Sequence, residues 1–363
     1  MQAREQTYDG AVVGEYWDRL EDGRVRCHVC PRHCTLHDGQ RAFCFVREAR
    51  DGQLLMTSYG RSTGFCIDPI EKKPLNHFHP GTSVLSFGTA GCNLGCRFCQ
   101  NWEFSKARDV ARGSSAAMPM AVADAAVRLG CTSMAVTYND PVVFYEYAID
   151  TAAACRERGV RTVAVTSGYI GAEARPRFFA DMDAANVDLK SFSDAFYRKL
   201  CYARLDPVLE TLRYLHEETD VWLEITTLLI PGHNDSEEEL GRLSDWLVER
   251  LGPEVPLHFS AFHPDFKMRD VPPTPVSTLI RARARARAAG LKYVYTGNLR
   301  DREGQSTWCP GCGALLVERD GYDLGHWGLA GARCGSCGID IPGRFDASPG
   351  RWGSARQPVI ITP

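Results

Sequence analysis

No stretch of this 363-residue chain approaches the run of roughly 20 apolar residues that a membrane-spanning helix needs. Neither sign of charge dominates: 42 Lys and Arg stand against 45 Asp and Glu, a net charge of −3. That balance gives no long-range attraction to nucleic acid or to an anionic membrane. The opening residues Met1-Gln2-Ala3-Arg4-Glu5-Gln6 lack the apolar core of a secretory signal peptide. No self-similarity recurs at a period of roughly 20–50 residues, which excludes a repeat array. Disorder is excluded as well, because 44% of the residues are apolar and 10% aromatic. Cysteine is the opposite case, with fifteen in the chain. A secreted disulfide framework would place so many in a far shorter chain behind a signal peptide. Eleven of them instead fall in three tight groups, the pattern of metal ligands in a reducing compartment. The expectation is a soluble, cytoplasmic protein with one large domain and small appendages.

The central group is Gly91-Cys92-Asn93-Leu94-Gly95-Cys96-Arg97-Phe98-Cys99-Gln100, a C-x3-C-x2-C spacing with no fourth cysteine beside it. Structural zinc needs closed four-coordination, which a triplet cannot supply. Iron–sulfur cubes normally take four thiolates, so a cube held by three keeps one iron open to a non-protein ligand. Gly91 and Gly95 allow the backbone to wrap tightly around such a cluster.

Three modules follow from composition. Residues 1–80 are turn-rich, residues 81–300 alternate β-branched runs with helical patterns, and residues 305–345 carry paired cysteines before a tail at 346–363. Strands are expected at Val84–Thr89, Ser133–Tyr138, Thr162–Thr166, Asn186–Leu189, Val221–Leu229, Leu257–Phe262 and Lys292–Tyr295. Helices are expected at Met120–Leu129, Val142–Arg158, Ala172–Ala180, Asp206–Glu218, Ser236–Leu251 and Ser277–Ala289. This alternation means parallel strands with helices outside, an α/β fold. Nearly every strand ends in a polar or Gly/Pro-marked segment: the cysteine loop, Asn139-Asp140-Pro141, Ser167-Gly168, Lys190, Pro231-Gly232, His263-Pro264-Asp265 and Thr296-Gly297-Asn298. A barrel would bring all seven to one rim, whereas an open doubly wound sheet would need such residues only at its switch point. The expected fold is therefore a complete or partial (β/α) barrel with small Cys-rich metal modules at both ends. The run Arg281-Ala282-Arg283-Ala284-Arg285-Ala286-Arg287-Ala288 reads as a solvated helix, since arginines two apart spread around its surface.

The outer cysteines form two sets. Cys309-Pro310-Gly311-Cys312-Gly313 and Cys334-Gly335-Ser336-Cys337-Gly338 are paired knuckles that describe a zinc ribbon, less often a rubredoxin-type iron. No basic aromatic stripe accompanies them, so they imply no nucleic-acid role. Cys27, Cys30, Cys34 and Cys44 suit one four-thiolate site, with His28, His33 and His37 able to substitute. Spacing leaves zinc and an auxiliary iron–sulfur cluster open there, with zinc slightly preferred. Cys66, Cys131, Cys155 and Cys201 read as ordinary core thiols.

The C-x3-C-x2-C spacing is also the signature of the radical S-adenosylmethionine (SAM) superfamily. The middle module resembles enzymes related to pyruvate formate-lyase activating enzyme, and most of the chain resembles the radical SAM member of the AmmeMemoRadiSam system. The matching stretches are Asp68-Pro69-Ile70-Glu71-Lys72-Lys73-Pro74-Leu75, His77–Gly81, Gly91–Trp102, Thr137–Pro141, Asn186–Lys190 and Thr227–Asp235. The resemblance implies that Cys92, Cys96 and Cys99 hold a 4Fe-4S cluster, with SAM's amino and carboxylate groups on the open iron. It puts Asn139 and Asp140 at the SAM ammonium, where relatives more often have Glu in place of Asp140. Ser167-Gly168 stands where relatives often have Asn-Gly. It also favours Asp188 and Lys190 near SAM; they flank Leu189 and share a face, so either they pair with each other or the carboxylate meets SAM. Glu224 could reach the SAM ribose or carboxylate, or serve as a satisfied polar residue of a barrel layer. His263 and Asn298 are weaker rim candidates, and Asp68–Lys73 is either a surface turn or a loop that closes the site.

The leading function is then reductive cleavage of SAM to a 5′-deoxyadenosyl radical, fed by a flavodoxin- or ferredoxin-type donor. Low-potential clusters reach about −700 mV, low enough to drive it. The resemblance implies work beside Memo-like and AMMECR-type proteins. The runner-up is an activase installing a glycyl radical on a partner enzyme. A non-enzymatic cluster-binding or electron-transfer protein would leave the seven marked strand ends without a common purpose.

Overall fold

The computed structural model describes residues 4, 5, 7, 10–108 and 115–361. Residues 1–3, 6, 8 and 9 of the expected first module, and 362–363 of the expected tail, lie outside the described residues. One nine-stranded sheet organises the chain. In chain order its strands are β1 (Phe65–Pro69), β2 (Ser83–Phe87), β3 (Ser133–Val136), β4 (Arg161–Thr166), β5 (Ala184–Asp188), β6 (Trp222–Leu229), β7 (Leu257–Ala261), β8 (Val294–Gly297) and β9 (Gln357–Val359). Their spatial order is β8-β7-β6-β5-β4-β3-β2-β1-β9. β2 to β8 pair in parallel, each with its sequence neighbour, so the order never reverses. An unreversed order has no switch point, which makes this an open, partial barrel with one functional rim.

The connecting helices are α1 (Pro119–Arg128), α2 (Tyr145–Glu157), α3 (Arg175–Phe179), α4 (Asp206–Glu218), α5 (Glu237–Leu251) and α6 (Val276–Ala288). Each has a local cause. Pro119 opens α1, where its missing N–H costs nothing. The Ser236 hydroxyl caps α5 by accepting from Glu239 N at 3.2 Å. In α4, Val208, Thr211, Leu212 and Leu215 make one buried stripe. The alternating α6 turns Ala282 and Ala286 inward. Arg281 reaches Glu237 at 2.7 Å, whereas Arg283 is largely covered and donates to Val294 O at 3.0 Å.

Two segments outside the helix–strand alternation extend the sheet edge. β1 lies antiparallel to β2, and β9, from the stretch read as a tail, pairs onto β1 with Gln357 opposite Ile67. A small sheet of Thr307–Trp308, Leu315–Asp320 and Asp323–Trp327 packs Leu316 and Val317 against Tyr293 and Tyr295. At the other end of the chain, residues Val12 to Met56 build two three-stranded sheets. Arg47, 2% exposed, donates to both oxygens of Glu146 at 3.1 and 2.8 Å, and Glu146 is 0% exposed. Among the described residues, no helix is long and apolar enough to cross a membrane.

Glu146→Ala should therefore destabilise the protein by about 3–5 kcal/mol, because it strands a buried guanidinium. Replacing Arg47 and Glu146 together by apolar residues should cost much less. Denaturant unfolding of the two variants checks the difference.

Candidate functional site

The cysteine loop leaves the C-terminal end of β2 without regular structure of its own, so its shape is imposed from outside. Gly95 N donates to Cys201 O at 2.8 Å and Arg97 N to Leu200 O at 2.9 Å. Asn139 Nδ2 donates to Gly91 O at 2.7 Å, and Lys106 Nζ to Leu94 O at 2.7 Å. A Cβ on Gly95 would sit 2.2 Å from the Tyr202 ring, so only glycine fits there.

Beside the loop lies a cleft of about 500 Å³. Cys92, Cys96, Cys99, Asn139, Asp140, Ser167, Asp188 and Lys190 all border it, so eight residues singled out in the sequence meet in one place. Asn298 borders it too, whereas His263 stands exposed at the rim and meets Gln100 instead. Lys72 and Lys73 line the cleft, so the Asp68–Lys73 segment is part of its wall. Asp68 is fully buried, accepting from Lys72 and Lys73 at 2.8 Å each and from the Tyr138 hydroxyl at 3.0 Å.

Individual roles differ from the expectations in detail. Asp140 spends its carboxylate on Ser167 N at 2.9 Å, Val142 N and Thr166 Oγ1 at 3.1 Å each, and the Ser167 hydroxyl. Burial raises its pKa against the pull of those donors. It braces the wall between β3 and β4. Asn139 ties the cysteine loop to β3. Asp188 and Lys190 do pair, at 2.9 Å; burial would lower the Lys190 ammonium, but Asp188 holds it well above its usual range.

Gly168 and Glu224 do not line the cleft. Gly168 makes a left-handed turn (φ 67°) whose carbonyl accepts from Thr211 Oγ1 at 2.7 Å. Glu224 shares the β6 face of Thr226 and Leu228, which do border the cleft, but sits one pleat below them. Its oxygens accept from Asn76 N, His77 N and Trp222 Nε1 and meet His258 Nε2 at 2.7 Å. It is the floor of the barrel: burial would raise its carboxyl, yet His258 and the other donors hold it low.

Residues not singled out in the sequence contribute as well: Tyr138, Thr226, Ser260, Tyr322 and Arg356 also border the cleft. Tyr138 did lie inside the Thr137–Pro141 segment, but Tyr322 and Arg356 come from the C-terminal module and the approach to β9. Cys201 is buried against Cys96 and lines no part of the cleft.

The donor set suits an iron–sulfur cluster with a polar ligand beside it. A hydrogen bond with Cys201 draws the Cys96 thiol below its usual range, and, against burial, Lys190 and Lys106 help. Burial pushes Cys92 up to about 12 and raises Cys99. Gathered thiolates therefore need both ammonium groups and a metal to be tolerated in this setting. Thr226 Oγ1 is buried on the cleft wall without a protein partner, the mark of a group awaiting a ligand atom. A second cleft of about 500 Å³ opens near Arg161, Asp183 and Val221, at the opposite strand ends, and contains no cysteine.

The C-terminal thiols converge far more tightly. Cys309 and Cys337 Sγ lie 3.6 Å apart, Cys312 and Cys334 Sγ 3.7 Å apart, and all four fall within 4.8 Å of one another. All fifteen cysteines are free of disulfides.

A chamber of about 260 Å³ adjoins the cleft, sharing Lys72, Ser260, Asn298 and Tyr322 with it. Glu71 lines it; its Oε1 accepts from Gly81 N at 2.7 Å, while Oε2 is buried without a partner. Burial lifts its pKa from the usual 4.5 to about 7, with Arg319 opposing. A carboxyl raised by folding stabilises the protein while protonated, and that contribution fades as pH rises through its folded pKa. Stability should thus fall by about 3 kcal/mol between roughly pH 4.5 and 7 on this account. Glu71→Gln should flatten that decline, as read from denaturant midpoints across the range.

Residues 87–243 match the radical SAM superfamily. An uncharacterized protein of Methanocaldococcus jannaschii is 44% identical over 330 residues, spanning 90% of this chain and 98% of that protein. The choline trimethylamine-lyase activating enzyme of Oleidesulfovibrio alaskensis is 30% identical over 102 residues, 28% of this chain and 33% of that enzyme. Among solved structures, a domain of a pyruvate-formate lyase-activating enzyme from Bacteroides vulgatus is similar at TM-score 0.41 and 17% identity, covering 46% of this chain and 99% of that domain. With a near-full-length relative, a matching core and three thiols on the rim of a partial barrel, this chain belongs to the radical SAM superfamily.

Proposed function

We propose that this chain is a radical SAM enzyme in which Cys92, Cys96 and Cys99 hold a 4Fe-4S cluster and the adjoining cleft takes SAM. When bound, that pair supplies reductive cleavage of the sulfonium to a 5′-deoxyadenosyl radical for hydrogen abstraction. The observation that carries this reading is the convergence of three strand-end thiols, Asn139, Asp140, Ser167 and the Asp188–Lys190 pair on one cleft. Lys190 and Lys106 offset thiolate charge, Thr226 Oγ1 offers an unspent polar atom, and Leu94, Phe98 and Leu228 help exclude water.

A small polar substrate fits better than a protein loop. Tyr322 and Arg356 border the cleft on the C-terminal side, and the chamber behind offers Glu71, Arg319 and His258. The activase reading, a glycyl radical placed on a partner enzyme, draws on the similarity to a lyase-activating enzyme. The AmmeMemoRadiSam setting, with Memo-like and AMMECR-type partners, a flavodoxin- or ferredoxin-type donor and a cytoplasmic location, rests on the motif resemblance. For the C-terminal four cysteines zinc is the fitting ion, because a Zn–S bond of about 2.3 Å gives S···S edges of roughly 3.8 Å around a tetrahedron.

Anaerobically reconstituted, reduced protein should release 5′-deoxyadenosine from SAM, and Cys96→Ala should bring that release to background, followed by chromatography. Absence of release from the intact, iron-loaded protein would sink the reading. Cys334→Ala should lower the zinc content by about one ion per chain, measured by elemental analysis.

A further inference from the structure

Cys27, Cys30, Cys34 and Cys44 surround a small enclosed pocket, otherwise walled mainly by Val29, Ala42, Val142 and Val143. Their sulfurs do not behave like the C-terminal set. Among the described residues, the four C-terminal thiols are the one group of three or more candidate ligands gathered within 4.8 Å. Neither the N-terminal thiols nor Cys92, Cys96 and Cys99 include three sulfurs gathered within that distance. A single ion draws four sulfurs onto edges of roughly 3.8 Å. A cube instead places an iron between each sulfur and the centre, so its ligands must stand farther apart around a filled space. Wide sulfurs around a pocket match the cube.

Among the described residues, no histidine lines this pocket. His28 directs Nε2 to Asp18 at 2.7 Å and Nδ1 to His33 Nδ1 at 3.2 Å, which occupies both of its ring nitrogens and one of His33. The ligands on offer are therefore four thiols, which would cap every iron. The module also presses on the cysteine loop. Arg32 Nε donates to Asn93 O at 2.5 Å, Asn93 borders the pocket, and a Cβ on Gly91 would fall 2.0 Å from Cys44 O. Arg47, paired with Glu146, puts a buried positive charge on the pocket wall.

We propose that Cys27, Cys30, Cys34 and Cys44 bind a second, fully thiolate-capped 4Fe-4S cube that relays electrons to the Cys92–Cys99 site. The metal assignment stands on this geometry alone, while the relay role rests on the radical SAM reading. With no open iron, the cube is left with one-electron transfer: it takes an electron from a low-potential protein donor and hands it to the loop cluster, with no bond made or broken. This replaces the slight preference for zinc drawn from spacing.

The test uses the full chain carrying Cys92→Ala, Cys96→Ala and Cys99→Ala together, reconstituted anaerobically with iron and sulfide. It should retain about four irons, four sulfides and one zinc per chain, and dithionite should produce an electron paramagnetic resonance signal. About two zincs with no iron would overturn the proposal. Cys30→Ser/Cys34→Ser in the otherwise intact chain should cut iron from about eight to about four per chain; an unchanged content would equally overturn it. A triple variant that keeps its cube, alongside a wild type that does not cleave SAM, would defeat the radical reading and leave this metal site standing.

Discussion

The structure depends on how an irregular loop satisfies its own backbone. A stretch that carries three thiols toward one point cannot be helix or strand, so its N–H and C=O groups need partners from elsewhere. Here they come from Leu200 and Cys201 after β5, Asn139 after β3, Lys106 beyond the loop and Arg32 in the first module. Each partner belongs to a different part of the chain. The aim of the thiols is thus set by the whole barrel, and packing errors anywhere on the rim would be felt at the sulfurs.

Much of the frame was readable because its causes are local. Parallel strands covered on both faces appear as continuous apolar runs, and all seven lie where such runs predict them, displaced by at most two residues at their ends. The helix at Asp206–Glu218 agrees residue for residue, since its apolar stripe and its Pro207 start both lie within it. The inference from marked strand ends to a shared rim held as well, because unreversed strand order leaves no other place for them.

What was not readable depends on depth and on contacts distant in sequence. Glu224 was left either near SAM or in a barrel layer, because nothing in a two-residue period says which layer of a barrel a residue occupies. Asp140 was singled out because its neighbours matched a family segment, but its bonds to Ser167, Thr166 and Val142 exist only once β3 and β4 are side by side. Tyr322 and Arg356 carry no pattern at all. They reach the cleft through the packing of the small C-terminal sheet on Tyr293 and Tyr295 and through the pairing of β9 with β1. Metal geometry was equally hidden: among the described residues only the four C-terminal cysteines gather within 4.8 Å, which spacing alone does not say.

The pairing of β9 with β1 also orders events in time. A ribosome releases β1 early and β9 only after the barrel strands have emerged, and domains fold as synthesis proceeds. The growing chain therefore makes its cysteine loop well before Arg356, which borders the same cleft, exists. That wall of the cleft stays unbuilt until the last strand docks on β1.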